Sequence, residues 1–260
     1  MDLSKRKEVV IISAALIIVA ALVFFGLQER FNNQPPFESP QFQAPEVKEV
    51  KLTEETIQYK LTVSYPQFLN LGDLNREEAA NTAIKSKIET AIRDFKRSVS
   101  EDATDLPNAK SEMRIGYEVI YLNPSIASIK LSEDTYIEGA AHPLAIIWSF
   151  NYSFRDNREI TLADIFNQGS DYLSALSELS RESLKNQLKE NYAQESVELG
   201  TRPQQENFEI FLLSKDRLIV IFNVYQVADY ALGPQSVEIP YEKLNRFMSP
   251  RSPTKLVDLL

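Results

Sequence analysis

The longest apolar block in the chain is Val9 to Leu27, VVIISAALIIVAALVFFGL, which contains no charge and no proline. As a helix rising about 1.5 Å per residue it spans roughly 28 Å, close to the hydrocarbon thickness of a bilayer. It exits into QERFNN, which offers no small-x-small cleavage site, so the pattern predicts a retained membrane anchor rather than a cleaved signal. Beyond residue 50 the apolar positions change period. In TIQYKLTVSYP, Ile57, Tyr59, Leu61, Val63 and Tyr65 alternate with polar residues and predict a half-buried strand. NREEAANTAIKSKIETAIRDFKRSV then places Ile84, Ile88, Ala91, Ile92, Phe95 and Val99 on one helical face, with Asn75 and Glu78 spaced as a capping box.

Period two returns in EMRIGYEVIYL, in SIASIKLSEDTYIEG and in LAIIWSFNYSF, the last carrying Ile146, Trp148, Phe150, Tyr152 and Phe154 on one side. The turn residues RDN close that strand into a predicted hairpin with REITL. Leu173, Leu176, Leu184 and Leu188 mark a second amphipathic helix, and FEIFLLSKDRLIVIFNV predicts another hairpin turning at Ser214 to Asp216. Strands in hairpin succession with two long helices predict an α+β head, the helices lying on a largely antiparallel sheet. The expected organisation is a cytoplasmic stub at 1–8, a transmembrane anchor at 9–27, a stalk at 28–50, a small strand-helix-strand domain at 51–135, a C-terminal domain at 136–248 and a loose tail at 249–260. The stalk follows from Pro35, Pro36, Pro40 and Pro45, which favour an extended spacer reaching roughly 50 Å.

Composition adds compartment and partners. Of the 260 residues 43% are hydrophobic and 25% charged, which marks a folded chain, and the formal charge is -9. Lys5, Arg6 and Lys7 precede the apolar run, so the N-terminus is expected in the cytoplasm and the head outside it, in a single-pass cell-membrane topology. The acidity falls on the head, which argues against nucleic acid and suits a cationic partner. With no cysteine, no disulfide staples the fold and no thiol does chemistry.

The residues for familiar catalysis are sparse. His142, in EGAAHP, is the only histidine, and no G-x-S-x-G elbow accompanies it, so it is expected to fix a turn before Pro143. No zinc set, calcium loop or phosphate-binding glycine cluster is present, and the expectation is a protein without catalytic residues, metal or cofactor. Paired carboxylates for glycoside hydrolysis are the enzymatic alternative. Glu133, Asp134 and Glu138 flank the His142 turn, and Asp156, Glu159 and Asp164 flank the next hairpin, where a solvated acidic rim is the simpler account.

Three stretches, TYIEGAAHP, ITLADIF and FLLSKDRLIVIFNVYQVADYALGPQSVEIPYEKL, resemble the extracytoplasmic domain family of the lysozyme-sensing anti-sigma factor RsiV. That family is similar to the non-catalytic N-terminal region of the peptidoglycan deacetylase PdaC. VSYPQF, the helix after it and FKRSV look like the smaller domain that accompanies it, so the resemblance covers roughly Lys51 to Met248. It implies a bacterial envelope module that binds a cell-wall component or a wall-active protein such as lysozyme. The eight residues before the apolar run are too few to hold a sigma factor, so anti-sigma function is not carried over. A structural part of an envelope complex is a further alternative. YQVADYALGP is the expected contact loop, with Tyr225, Asp229, Tyr230, Leu232, Gly233 and Pro234 as ligand-binding residues. Tyrosines supply rigid, amphipathic contact area, and Gly233 with Pro234 would hold them on a constrained turn.

Overall fold

The computed structural model describes residues 44–101 and 110–253. The predicted stub and anchor, most of the stalk and residues 254–260 lie outside the described residues. Among the described residues no helix is long and apolar enough to cross a membrane.

The alternating run after Ile57 forms β2 (Tyr59–Leu69), with Leu61 and Val63 fully buried. Ile57 itself is 90% exposed, in the turn before the strand, which corrects its place in the alternation. The partner of β2 was not predicted. β1 (Glu46–Glu55) pairs with it antiparallel over its whole length and begins within the segment assigned to the stalk. β1 is EVKEVKLTEE, so rich in Lys and Glu that no apolar stripe shows, as suits an edge strand protected from further pairing.

α1 (Leu74–Glu101) follows. It starts earlier than expected and is capped by Asp73, whose carboxylate accepts from the Asn75 N–H at 2.8 Å, while Glu77 reaches back to the Leu71 N–H at 3.1 Å. The Asn75 and Glu78 box is therefore not the cap. The predicted face is the buried one: Ile84, Ile88, Phe95 and Val99 pack with Leu61, Val63, Met113, Ile115, Ile129, Leu131 and Phe150. Each such side chain contributes about 1.5–3 kcal/mol by leaving water. α1 crosses to β3 (Ser111–Leu122), which pairs parallel with β2, the one parallel pair in the sheet. Antiparallel β4 (Ile126–Tyr136), β5 (Leu144–Ser153) and the two-residue β6 (Arg158–Glu159) complete the order β1-β2-β3-β4-β5-β6. β4 and β5 pair from Ile126↔Ser153 to Thr135↔Leu144, so this sheet continues across the division drawn at residue 135.

The expected strand REITL is cut short after β6. Ile160 and Leu162 turn into a second core instead, and Leu162–Ile165 form α2. α3 (Tyr172–Leu188) buries Leu176, Leu184 and Leu188 and covers a separate three-stranded antiparallel sheet of β7 (Phe211–Leu213), β8 (Arg217–Phe222) and β9 (Gln235–Pro240). α4 (Gln194–Gly200) and α5 (Tyr241–Leu244) complete this part. The two long helices therefore cover two different sheets.

Side chains join the sheets. Asn151 Nδ2 donates to the Phe211 carbonyl at 2.7 Å, and Ser128 Oγ accepts from the Leu213 N–H at 2.9 Å and donates to Asn151 Oδ1 at 2.6 Å. Both side chains are buried, so the backbone groups of β7 that the ladder leaves open are satisfied without water. The first residues of the predicted tail are docked rather than loose: the Ser249 N–H bonds the Ile165 carbonyl at 2.9 Å, and Ser252 is fully buried.

Candidate functional site

β8 ends in a turn, Asn223 to Gln226, closed by the Gln226 N–H on the Asn223 carbonyl at 3.1 Å. The Asn223 amide lies along the free edge of β5, accepting from the Ile147 N–H at 2.8 Å and donating to the Ile147 carbonyl at 3.1 Å. Gln226 anchors the other side, its Nε2 donating to the Gly200 and Asn207 carbonyls at 3.2 and 3.0 Å. Between these anchors Tyr225 sits at φ +67°, a left-handed conformation that costs a bulky residue about 1 kcal/mol. The surrounding hydrogen bonds hold the strain, and the ring is 61% exposed.

The chain then buries Val227 and Ala228 and forms a 3-10 turn at Tyr230–Leu232 with exposed Asp229 before it. Gly233 closes the turn at φ +68°, ψ -175°, a region open essentially to glycine alone, and Pro234 leads into β9. Leu232 is 37% exposed on the same loop. The loop does not stand alone. Tyr230 Oη donates to the Pro143 carbonyl at 2.6 Å, and its ring lies 4.2 Å from the exposed His142 ring at 30°. Tyr225 and Tyr230 lie 5.6 Å apart at 29°, and Tyr225 Oη is 3.3 Å from His142 Nε2. Three rings thus form one tilted platform with Tyr230 at its centre. His142 also contacts the Pro143 carbonyl through Nδ1 at 3.0 Å, the turn-fixing contact expected for it, but its ring is part of the platform as well.

His142 borders a groove of about 620 Å³ between α1 and the outer ends of β4 and β5. Ala91 and Phe95 of α1 face Leu144, Ile146 and Trp148 of β5 across it, with Glu133 and Asp94 among its polar groups. Burial pushes the Glu133 carboxyl above its ordinary value, partly offset by hydrogen bonds from Thr135, at 2.8 Å, and Trp148. A mainly apolar groove of this size with few convergent polar groups is the common form of a ligand site.

Glu133 is therefore not part of a solvated rim, whereas Asp134, Asp156 and Glu159 are exposed as such a rim requires, several of the flanking acids being held by local partners. Glu159 pairs with Lys87 at 3.1 Å, Asp156 accepts from Ser153 Oγ at 2.7 Å, and Asp164 is gripped by both terminal nitrogens of Arg158 at 2.6 and 2.9 Å. Among the described residues no group of three or more His, Cys, Asp or Glu is arranged to hold a metal. The six predicted loop residues share one loop, whereas His142, Glu133 and Trp148 were not expected at the site. Their connection to it is made by sheet pairing and a contact across more than 80 residues of sequence.

Residues 52–145 match a protein family described as "Deacetylase PdaC", and residues 163–242 match "Protein of unknown function (DUF3298)". The peptidoglycan-N-acetylmuramic acid deacetylase PdaC of Bacillus subtilis is 30% identical over 182 residues, 70% of this chain and 37% of that protein. The chain thus spans little more than a third of that curated relative. Among solved structures, a DUF3298 family member from Bacteroides fragilis superposes with TM-score 0.62 at 19% identity, covering 81% of this chain and 96% of its own. Another, from Pseudomonas aeruginosa PAO1, gives 0.53 at 16% identity over 80% and 94%. The platform draws His142 from the first matched region and both tyrosines from the second, and the chain carries a PdaC-type N-terminal region followed by a DUF3298 domain.

Proposed function

We propose that the protein is a cell-envelope binding protein, anchored through residues 9–27 with its head outside the cytoplasm, and that it binds a cell-wall glycan without catalysing a reaction on it. The observation that carries this reading is the platform of Tyr225, Tyr230 and His142 beside a groove holding Trp148 and Glu133. Sugar rings present an apolar face to aromatic rings and hydroxyl or amide donors to carboxylates, and this surface offers both partners in a constrained arrangement. The similarity to a peptidoglycan-N-acetylmuramic acid deacetylase supports a wall glycan as the target. Preorganisation of the loop by Asn223, Gln226 and Gly233 lowers the entropy lost on binding.

The formal charge of -9 favours a second reading, in which the same surface meets a cationic wall-active protein such as lysozyme. Cosedimentation of the full chain, in detergent, with purified insoluble peptidoglycan separates the two. The glycan reading expects cosedimentation that falls at least tenfold in Trp148→Ala. Capture of lysozyme alone, with no affinity for the wall, would support the second reading, and release of acetate or reducing ends from the wall by the pure protein would defeat the non-catalytic one.

A further inference from the structure

At the other end of β5, roughly 30 Å from the platform at strand spacing, a cavity of about 460 Å³ lies between the β5–β6 turn and the docked C-terminal segment. Arg155 and Asp156 line it from the turn, Arg158 from β6, Asp164 from α2, and Arg251 from the C-terminal segment. The acceptors in this wall are engaged internally. Both oxygens of Asp164 take the Arg158 fork, and Oδ2 also accepts from the Thr161 N–H and hydroxyl, each at 2.8 Å. Asp156 accepts from Ser153. The donors are not engaged in the same way: among the described residues the guanidinium groups of Arg155 and Arg251 have no hydrogen-bond or ion-pair partner.

Arg251 is brought there by structure rather than by drift of a tail. The segment is fixed by the Phe166↔Met248 bridge, by Asn167 Nδ2 on the Met248 carbonyl at 3.2 Å, and by the Arg251 N–H on Ser249 Oγ at 3.2 Å. Two open forks thus face one cavity in a protein that is acidic overall.

We propose that this cavity is a binding site for a small organic monocarboxylate. Three guanidinium groups against two carboxylates leave one net positive charge, which a single carboxylate neutralises. A phosphate dianion would exceed that charge and face Asp156 and Asp164. Pro250 and Pro253 supply an apolar wall for the body of the ligand, and the volume suits a dipeptide or one sugar acid.

The test is calorimetric titration of the full chain in detergent at low salt with four probes: N-acetyl-alanyl-alanine, its C-terminal amide, glucuronate and inorganic phosphate. The proposal expects binding of one or both carboxylates with Kd of about 1 mM, the relative response of peptide and glucuronate identifying the source. The amide should bind at least tenfold more weakly than the free peptide if the peptide is the ligand. The double variant Arg155→Gln, Arg251→Gln should lose at least tenfold for the carboxylate that binds, with an unchanged melting temperature, since both side chains are exposed and, among the described residues, make no hydrogen bond or ion pair. No carboxylate binding at 20 mM, a level about twentyfold above the expected Kd, overturns the proposal. Undiminished binding by the double variant, or tighter binding of phosphate than of either carboxylate, does so equally.

Discussion

At the scale of single residues, the platform separates Tyr230, bonded to a backbone carbonyl, from Tyr225, whose side-chain partners among the described residues are only the neighbouring rings. Tyr230 is half-buried and bonded to Pro143, so its removal costs local stability as well as any contact. Tyr225 is more exposed and strained. Tyr225→Gly relieves the left-handed backbone but loses the contacts with Tyr230 and His142 and loosens the unfolded chain, so these effects offset and the melting temperature should stay close to the parent's. Wall binding should weaken by about 2 kcal/mol, the scale of an aromatic hot spot. A variant that keeps full affinity in the cosedimentation assay would remove Tyr225 from the contact surface. Asp164 carries the clearest pH signature. The Arg158 fork, with help from Thr161, lowers its carboxyl to about 2. A depressed folded pKa gives stability that is complete above the unfolded value near 4 and is lost as pH falls toward 2. Because Arg158 is half-exposed, solvent screening reduces the gain to about 1 kcal/mol. Denaturant melts of Asp164→Asn should therefore show lower stability at pH 6 and a flatter loss between pH 4 and 2 than the parent.

At the scale of elements, the loop depends on the end of α4. A Cβ on Gly200 would lie 2.0 Å from the Gln226 carbonyl oxygen and 2.8 Å from Val227 Cγ1, so the glycine permits the helix to touch the loop backbone. Gly200→Ala should cost about 3 kcal/mol by chemical denaturation and disturb wall binding through displacement of Tyr225. Such a contact leaves no trace in local sequence, and this explains what was legible. β2, α1 and α3 were readable because each buries one periodic face, as Leu61 and Val63 or Ile84 and Ile88 do, and β5 because its large side chains alternate, although its second half is buried on both faces. β1 was not, since an edge strand with Lys and Glu on both sides has no period. The β2–β3 pair was not, because parallel pairing is chosen by the α1 crossover and not by side chains. Tyr225 and Tyr230 stood out as aromatic residues in a Gly-Pro loop, whereas His142 looked like a turn residue until its ring met Tyr230 in space. Glu133 looked solvated because acidity alone does not report burial, nor the hydrogen bonds from Thr135 and Trp148.

At the scale of the whole molecule, the proposed topology and the charge of the head decide what the site can meet. On the proposed topology, with Lys5, Arg6 and Lys7 ahead of Val9–Leu27 kept inside, the head would lie outside, so protease added to cells with an opened wall should remove it. Recovery of a soluble form starting after Leu27 would contradict the anchor. The formal charge of -9 then separates the two binding readings by ionic strength. A neutral glycan meets the platform through ring contacts and short hydrogen bonds, which added salt barely weakens. A cationic protein is drawn by the field of the whole head, and its association slows as the screening length falls from about 10 Å at 0.1 M to about 3 Å at 1 M. Asp229 is the probe, since it is exposed beside Tyr230 and makes no cap bond with its side chain. Asp229→Lys should leave glycan affinity within about twofold at any salt, a change under 0.5 kcal/mol. For lysozyme it should lower the association rate at 50 mM salt, with the difference closing by 500 mM, and surface plasmon resonance on the detergent-held full chain reads both. Wall binding that collapses with salt and with this one substitution would mean that the aromatic surface does not carry the glycan contact, and that electrostatics does.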